Sequence, residues 1–353
     1  MNFIVSHNMQ GLYQAKKLIN NSENILVLTN PDLNVDNLSS ALSLFNTLNN
    51  EGKVVKLYPK KIPNNFEGLF PEKLIPRNVI VSITGKEITD IYYTKEKDTF
   101  KIYLGSKDEE IRDKDVRLRL LQYGESDLLI TIGIKNLEIL GNFYENHFKL
   151  FYQTPIINID NQKDNTLYGN VDLIDELPTS TITQKLIESL NPNIKDKDIK
   201  TWLLAGVIEF LKKNIPSPEA LETVVKFTQP DIEYSKIFDY FLKNENKSKF
   251  NLLIKVLNNL EFDKQKGILI AKLKIIFEKD LAQVLDILLN KLLNLPNLLV
   301  LWEKRDCTIS GLVYSKEIEF LNKFEGKKSS NAVLFDTKKK GLNEVGQFIL
   351  NKL

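Results

Sequence analysis

Residues 24–53, NILVLTNPDLNVDNLSSALSLFNTLNNEGK, decide the fold. NILVLT is a short, almost continuous apolar run, the signature of a strand covered on both faces in a parallel sheet. It runs into Asn30-Pro31-Asp32 and Asp36. Leu38, Ala41, Leu42, Phe45 and Leu48 then recur at helical spacing, and Gly52 closes the helix. KVVKLYP reads as the next strand, so the chain opens on a βαβ unit. Carboxylates at the C-terminal end of such a strand signal a metal or phosphate site, which makes Asp32 and Asp36 the first candidates.

Outward from this unit, residues 8–22 have a helical rhythm. NVIVSITGKEITDIYYTKEKDTFKIYLG alternates apolar and polar residues around Gly85 and Lys97-Asp98, which predicts an antiparallel excursion of two or three strands. The α/β rhythm returns with strand DLLITIG, helix NLEILGNFYENHF, strand PIINID, and helices TSTITQKLIESL and DIKTWLLAGVIEFLKKN. The fold class is therefore α/β. An N-terminal parallel-sheet domain over 1–215 carries a hairpin insertion at about 76–106. A helical connector covers 216–263 and a smaller C-terminal α/β domain covers 264–353, with strand GILIAKL, helix DLAQVLDILLNKLLN, hairpin strands, and strand NAVLFD before a last helix.

The bulk numbers exclude several classes. A length of 353 residues, 42% apolar and 27% charged, suits a soluble protein of two domains. A net charge of +2 makes no strong electrostatic demand for nucleic acid or anionic membrane. The single Cys307 precludes an intrachain disulfide framework, and a buried, inert thiol is expected. No signal-peptide pattern and no apolar run of about 20 residues is present, so a cytoplasmic protein without membrane contact is expected. His7 and His147 have no carboxylate or Cys at ligand spacing, and Trp202 and Trp302 lie in apolar patterns; structural roles are expected for all four.

Four segments, in order, resemble the DHH/DHHA1 phosphoesterase family, the group of RecJ-like exonucleases, NrnA-like oligoribonucleases and cyclic-dinucleotide phosphodiesterases. The resemblance covers almost the whole chain and implies a DHH-type N-terminal domain and a DHHA1-type C-terminal domain. The family's first motif is a strand ending in His-x-Asn-Pro-Asp-x-Asp, followed by Gly-Ser. The ungapped match puts Asn30 at the His, Asn34 and Asp36 at the two Asp, and Ser39-Ser40 at the Gly-Ser. The Asn-Pro-Asp at 30–32 is then two residues out of register, and using it would require an insertion at the tightest turn. The second motif's bridging Asp falls on Gly133, with Thr131 a poor substitute. The third, Asp-His-His, reads Asp160-Asn161-Gln162 within a frame kept by Asn165, Tyr168, Gly169 and Asp175. The fourth motif's Asp falls on Phe210, with Glu209 one step off and expected to point elsewhere.

The family's chemistry, as the resemblance implies it, uses two divalent ions to activate a water and hold an in-line phosphate. Each hard cation needs several anionic oxygens or imidazoles. Asp36 and Asp160 by themselves cannot supply them, so no cofactor is expected, beyond at most one weak Mn2+ or Mg2+. In the C-terminal domain the family's Gly-rich, His-bearing phosphate turn corresponds to EGKKSSNAVLF, where Gly326 is the only glycine of the run, Ser329 takes the His position and Asn331 keeps the exit. Without further glycines an amide nest is hard to form. Lys327 and Lys328 leave weak phosphate attraction, with a solvated turn as the simpler account; Lys338-Lys339-Lys340 also reads as a solvated turn. Ser40 with Gly326, Lys327, Lys328, Ser329 and Asn331 are the candidate substrate contacts.

The expectation is a non-catalytic homologue that binds a nucleotide, a nucleic-acid end or a protein. The cleft is one candidate surface. The inserted hairpin, with Tyr92, Tyr93 and Tyr103, is the other, although sheet packing is the simpler account of its rings. The alternative is a Mn2+- or Mg2+-dependent phosphodiesterase or oligoribonuclease with an altered site.

Overall fold

The computed structural model describes residues 2–59, 62–71, 79–107, 110–120, 123–214, 216–243, 250–274, 281, 284–285, 287–292, 297–304, 307–329, 331–337 and 341–351. Helix α1 (Asn2–Asn20) precedes β1 (Asn24–Thr29), α2 (Val35–Asn50) and β2 (Val54–Tyr58). With β7 (Leu128–Ile132), β8 (Ile156–Asp160) and β9 (Val171–Ile174) they form an all-parallel sheet in the order β2-β1-β7-β8-β9. Successive side chains of β1 point to opposite faces. Ile25 and Val27 join the core that includes α2, while Leu26 and Leu28 join a second apolar cluster with Leu129, Phe143 and Phe151. Burial on both faces explains why NILVLT is apolar without alternation.

On the first face, α2 packs against α5 (Thr179–Leu190) and α6 (Lys197–Leu211), and α1 packs on α5 and β9. Small residues set the close approach of the first three. A Cβ at Gly206 of α6 would fall 1.9 Å from Ser180 Oγ and 3.0 Å from Ser39 Cβ. The second face carries α3 (Asn142–Asn146) and α4 (Phe148–Gln153), where the continuous helix expected over 136–148 is broken at Gly141, whose φ is +50°.

The antiparallel excursion consists of β3 (Val79–Ile83), β4 (Ile88–Lys95), β5 (Phe100–Ser106) and β6 (Val116–Leu120). β4 pairs with β5, and β3 with β6, which sequence reading did not name. Residues 76–78 of the expected insertion lie outside the described residues.

The C-terminal sheet has the order β10 (Leu260–Asp263), β11 (Ile268–Leu273), β12 (Asn297–Glu303), β13 (Ile309–Ser315), β15 (Ala332–Thr337), β14 (Lys327–Lys328). Only β11 and β12 run parallel. Helices Ile318–Asn322 and Leu342–Leu350 cover one face. On the other face Leu269, Ala271, Leu298 and Val300 merge with helices α7 (Pro218–Phe227), α8 (Tyr234–Phe241) and α9 (Phe250–Asn258) and, through them, with the N-terminal core. Trp202 and Trp302 are core residues, 3% and 1% exposed. His147 stacks on Phe143 and its Nδ1 lies 2.9 Å from the Phe143 carbonyl. The side chain of His7 and the run Lys338–Lys340 lie outside the described residues. Cys307 is exposed, not buried: it occupies the tight β12–β13 turn with φ +63°, its N–H donating to Lys304 O.

Candidate functional site

The parallel strands deliver the segments that follow β1, β7 and β8 to one end of the sheet. Where β1 ends, Asn30 donates from its N–H to Ile132 O and from Nδ2 to Gly133 O at 3.0 Å, while Asn30 Oδ1 accepts from Asp32 N. The positions matching the family's His and bridging Asp are thus adjacent, joined by an amide-to-carbonyl hydrogen bond. Asp32 itself sits on the exposed turn. Asn34 is the N-cap of α2, its Oδ1 accepting from Asn37 N at 2.8 Å.

Asp36, 4% exposed, faces the start of α5. Its Oδ2 accepts from Thr179 N at 2.9 Å, and its Oδ1 accepts from Ser180 N at 2.8 Å and from the Ser180 hydroxyl. The carboxylate therefore serves the orphan N–H groups and positive end of a helix dipole. Burial pushes its pKa up to about 6, with the bonds from Ser180 and Thr179 pulling the other way.

Gly133 has φ +65°, and a Cβ placed there would lie 2.1 Å from Asn37 Nδ2, 2.4 Å from Cγ and 2.6 Å from Oδ1. The Asn37 carboxamide thus fills the space a side chain at Gly133 would need. Its Oδ1 also accepts from Thr179 Oγ1 at 3.0 Å.

Asp160, fully buried, is likewise surrounded by donors. Oδ1 accepts from Asn161 N at 2.8 Å and Gln162 Nε2 at 3.3 Å, and Oδ2 accepts from Asn165 Nδ2 at 2.7 Å. Asn165 Oδ1 accepts from Asn158 Nδ2 and from Leu167 N, which holds Leu167 at φ +54°. Tyr168 donates its hydroxyl to Ile134 O, its oxygen lies 2.8 Å from the Thr131 hydroxyl, and burial raises its pKa. Gly169 N donates to Asp172 Oδ1, and Asp175 N to Asp160 O.

A cavity of about 350 Å³ opens beside this floor. Asn34, Asp36, Asn161 and Phe210 line it, and so does Glu209, against the expectation that it points elsewhere. Glu209 is paired with Lys213 at 2.9 Å, and across the cavity Lys163 is paired with Glu176 at 2.9 Å. Ser40 offers nothing to the cavity: it is fully buried and its hydroxyl donates to Asp36 O. Sequence reading missed Asn37, Thr179 and Ser180, the residues that organise the floor, and Lys163, Glu176 and Lys213 on the walls. The small polar run Thr179-Ser180-Thr181 at a helix start was the one visible signal.

The residues present do not fit a pair of divalent cations. Amides, a glycine and a phenyl ring stand at matched ligand positions. Both acids are hydrogen-bonded by protein donors, and the Asn37 carboxamide occupies the space beside Gly133. Among the described residues no group of three His, Cys, Asp or Glu comes together as a metal site.

The C-terminal candidates form a hairpin instead of an amide nest. Lys327 and Lys328 are exposed in β14, correcting the expectation of a turn there, and Lys328 Nζ donates to Asn322 Oδ1. Gly326 has φ +156°, and a Cβ there would meet Leu334 O at 2.3 Å. Ser329 N and Oγ donate to Ala332 O, and Asn331 O accepts from Ser315 N. None of these residues lines the cavity beside Asp36. On the β4–β5 hairpin Tyr92 and Tyr93 are exposed, and Tyr92 stacks on Tyr103 at 4.7 Å.

No protein-family model matches the sequence, and no curated protein matches it. Among solved structures, the chain is similar to an exopolyphosphatase-related protein from Bacteroides fragilis, at 15% identity and a TM-score of 0.44 over 98% of this chain and 96% of that one. It is similar to RecJ in complex with Mn2+ from Thermus thermophilus, at 13% identity and a TM-score of 0.30 over 97% of this chain and 54% of that one. A third similar structure, from Methanococcus jannaschii, is described as a family II inorganic pyrophosphatase; it shows 14% identity and a TM-score of 0.28 over 90% and 96%. Among the described residues no helix is long and apolar enough to cross a membrane.

Proposed function

We propose that this chain is a non-catalytic homologue of the DHH/DHHA1 phosphoesterases, kept for binding in the cleft beside Asp36. The observation that carries the reading is the state of the two surviving acids. Asp36 receives its hydrogen bonds from the start of α5, and Asp160 from Asn161, Gln162 and Asn165, so each is committed to the fold. Three protein donors already take up most of the roughly four lone-pair sites of each carboxyl, which leaves about one site on each acid and too few anionic oxygens to hold two cations.

The cavity that remains, about 350 Å³, falls in the range of small-ligand sites. Phe210 offers an apolar wall, Asn34 and Asn161 polar groups, and Lys163 and Lys213 weak attraction for a phosphate. A mononucleotide or the end of a short nucleic acid suits that chemistry. This reading also assigns a possible protein contact to the exposed rings of the β4–β5 hairpin.

The test is incubation of the protein with the dinucleotide pApA and Mn2+, beside thermal melts with nucleoside monophosphates in chelator. The dinucleotide survives and a monophosphate raises the melting temperature without metal, if the proposal is right. Mn2+-dependent cleavage that Asp36→Ala abolishes establishes a hydrolase instead.

A further inference from the structure

We propose that Asn37 is a positioning residue whose carboxamide plugs the cleft floor and locks the protein in a cation-free form. The inference deepens the reading of a non-catalytic cleft and rests on it. A chain of contacts crosses the floor from the end of β7 to the start of α5. Asn37 packs on the Cα of Gly133, Asn37 Oδ1 accepts from Thr179 Oγ1 at 3.0 Å, and Thr179 N donates to Asp36 Oδ2 at 2.9 Å. Asn30 closes the other side, donating to Gly133 O at 3.0 Å. Every link is neutral except the Asp36 carboxyl.

This arrangement couples two positions that sequence alone treats as independent. A side chain at Gly133 must displace the Asn37 carboxamide, because its first carbon would lie 2.1 Å from Nδ2. Displacement strips Thr179 Oγ1 of its acceptor and loosens the helix start that holds Asp36. Restoring an acid at Gly133 therefore disrupts the floor before any ion can use it. The conflict involves the carboxamide and not the Asn37 backbone, so shortening Asn37 to alanine relieves it.

A thermal double-mutant cycle on the full chain tests this without any ligand, so its outcome is independent of whether the cleft binds a nucleotide. Asp tolerates positive φ better than most residues, and the backbone cost of φ +65° is the same with or without Asn37. Gly133→Asp is expected to lower the melting temperature by about 5 °C or more in the Asn37 protein, and by less than about half as much in the Asn37→Ala background. Gly133→Ala, which adds only the clashing carbon, gives the same pattern where the Asp variant fails to fold. Equal losses in both backgrounds overturn the proposal. Electron paramagnetic resonance of added Mn2+ is the second readout: the spectrum stays that of the free ion for Gly133→Asp by itself, and a bound-ion spectrum from that single variant also overturns it.

Discussion

Asp36 carries the clearest pH signature at the level of single residues. Burial pushes its folded-state pKa up to about 6, against 3.8 for an unperturbed Asp. Between these values the native protein holds a proton that the unfolded chain has released. This group's contribution therefore favours folding at low pH and is lost as the pH rises through about 6. The full displacement corresponds to at most about 3 kcal/mol. Urea unfolding at about pH 4.5 and about pH 7.5, for the parent and Asp36→Asn, isolates it, because other carboxyls titrate alike in both. The parent loses more stability than the variant on going to the higher pH; equal slopes locate the effect in another group. Asn165 is the second test at this scale. It donates to Asp160 Oδ2 and Ile134 O and accepts from Asn158 Nδ2 and Leu167 N, so Asn165→Ala orphans several groups at once. A loss of about 2–3 kcal/mol in urea unfolding is expected.

The secondary-structure elements differ in how much they share with the rest of the molecule. No residue of Ile88–Ser106 contributes a side chain to the buried core, so β4 and β5 stand on their own pairing. Replacing this segment with a short Gly-Ser linker is expected to change the melting temperature by less than about 3 °C. A larger loss would show that the hairpin is packed into the protein. The same contrast explains which elements were readable from sequence. β1 was found because NILVLT is a continuous apolar run buried on both faces, and α2 and α5 because the Leu38-to-Leu48 stripe and TSTITQKLIESL are long and periodic. β9, β10 and β14 were not, since four residues or fewer carry too little period. VRLRL of β6 alternates clearly, but its partner β3 lies far back in the chain. At the site, Asn30, Gly133, Asp160 and Phe210 were found by register against a motif. Asn37, Thr179 and Ser180 had no such register, because their role arises only where the start of α5 meets α2 across 143 positions of sequence.

At the scale of the whole molecule the two sheets share a hydrophobic core. α7 contacts β10, α9 contacts β11, and both α7 and α8 contact α6. One apolar cluster runs from Ile25 and Leu42 through Val224 and Phe238 to Leu298 and Val300. Calorimetry should therefore show one cooperative unfolding transition; two resolved transitions would falsify the shared core as a coupling element. Substitution at the bridge, such as Phe238→Ala, should destabilise by about 3–5 kcal/mol and leave the transition single.

The strand order has a further consequence, during synthesis. β1 lies between β2 and β7, and its partner Leu128 is about a hundred positions after Ile25. At translation rates of about 5–20 residues per second, one flank of the first strand waits on the order of 5–20 s on the ribosome for its neighbour to be made. Throughout that wait an apolar, hydrogen-bond-hungry edge is open to the cell, so nascent chains stalled before Leu128 are where chaperones should be found.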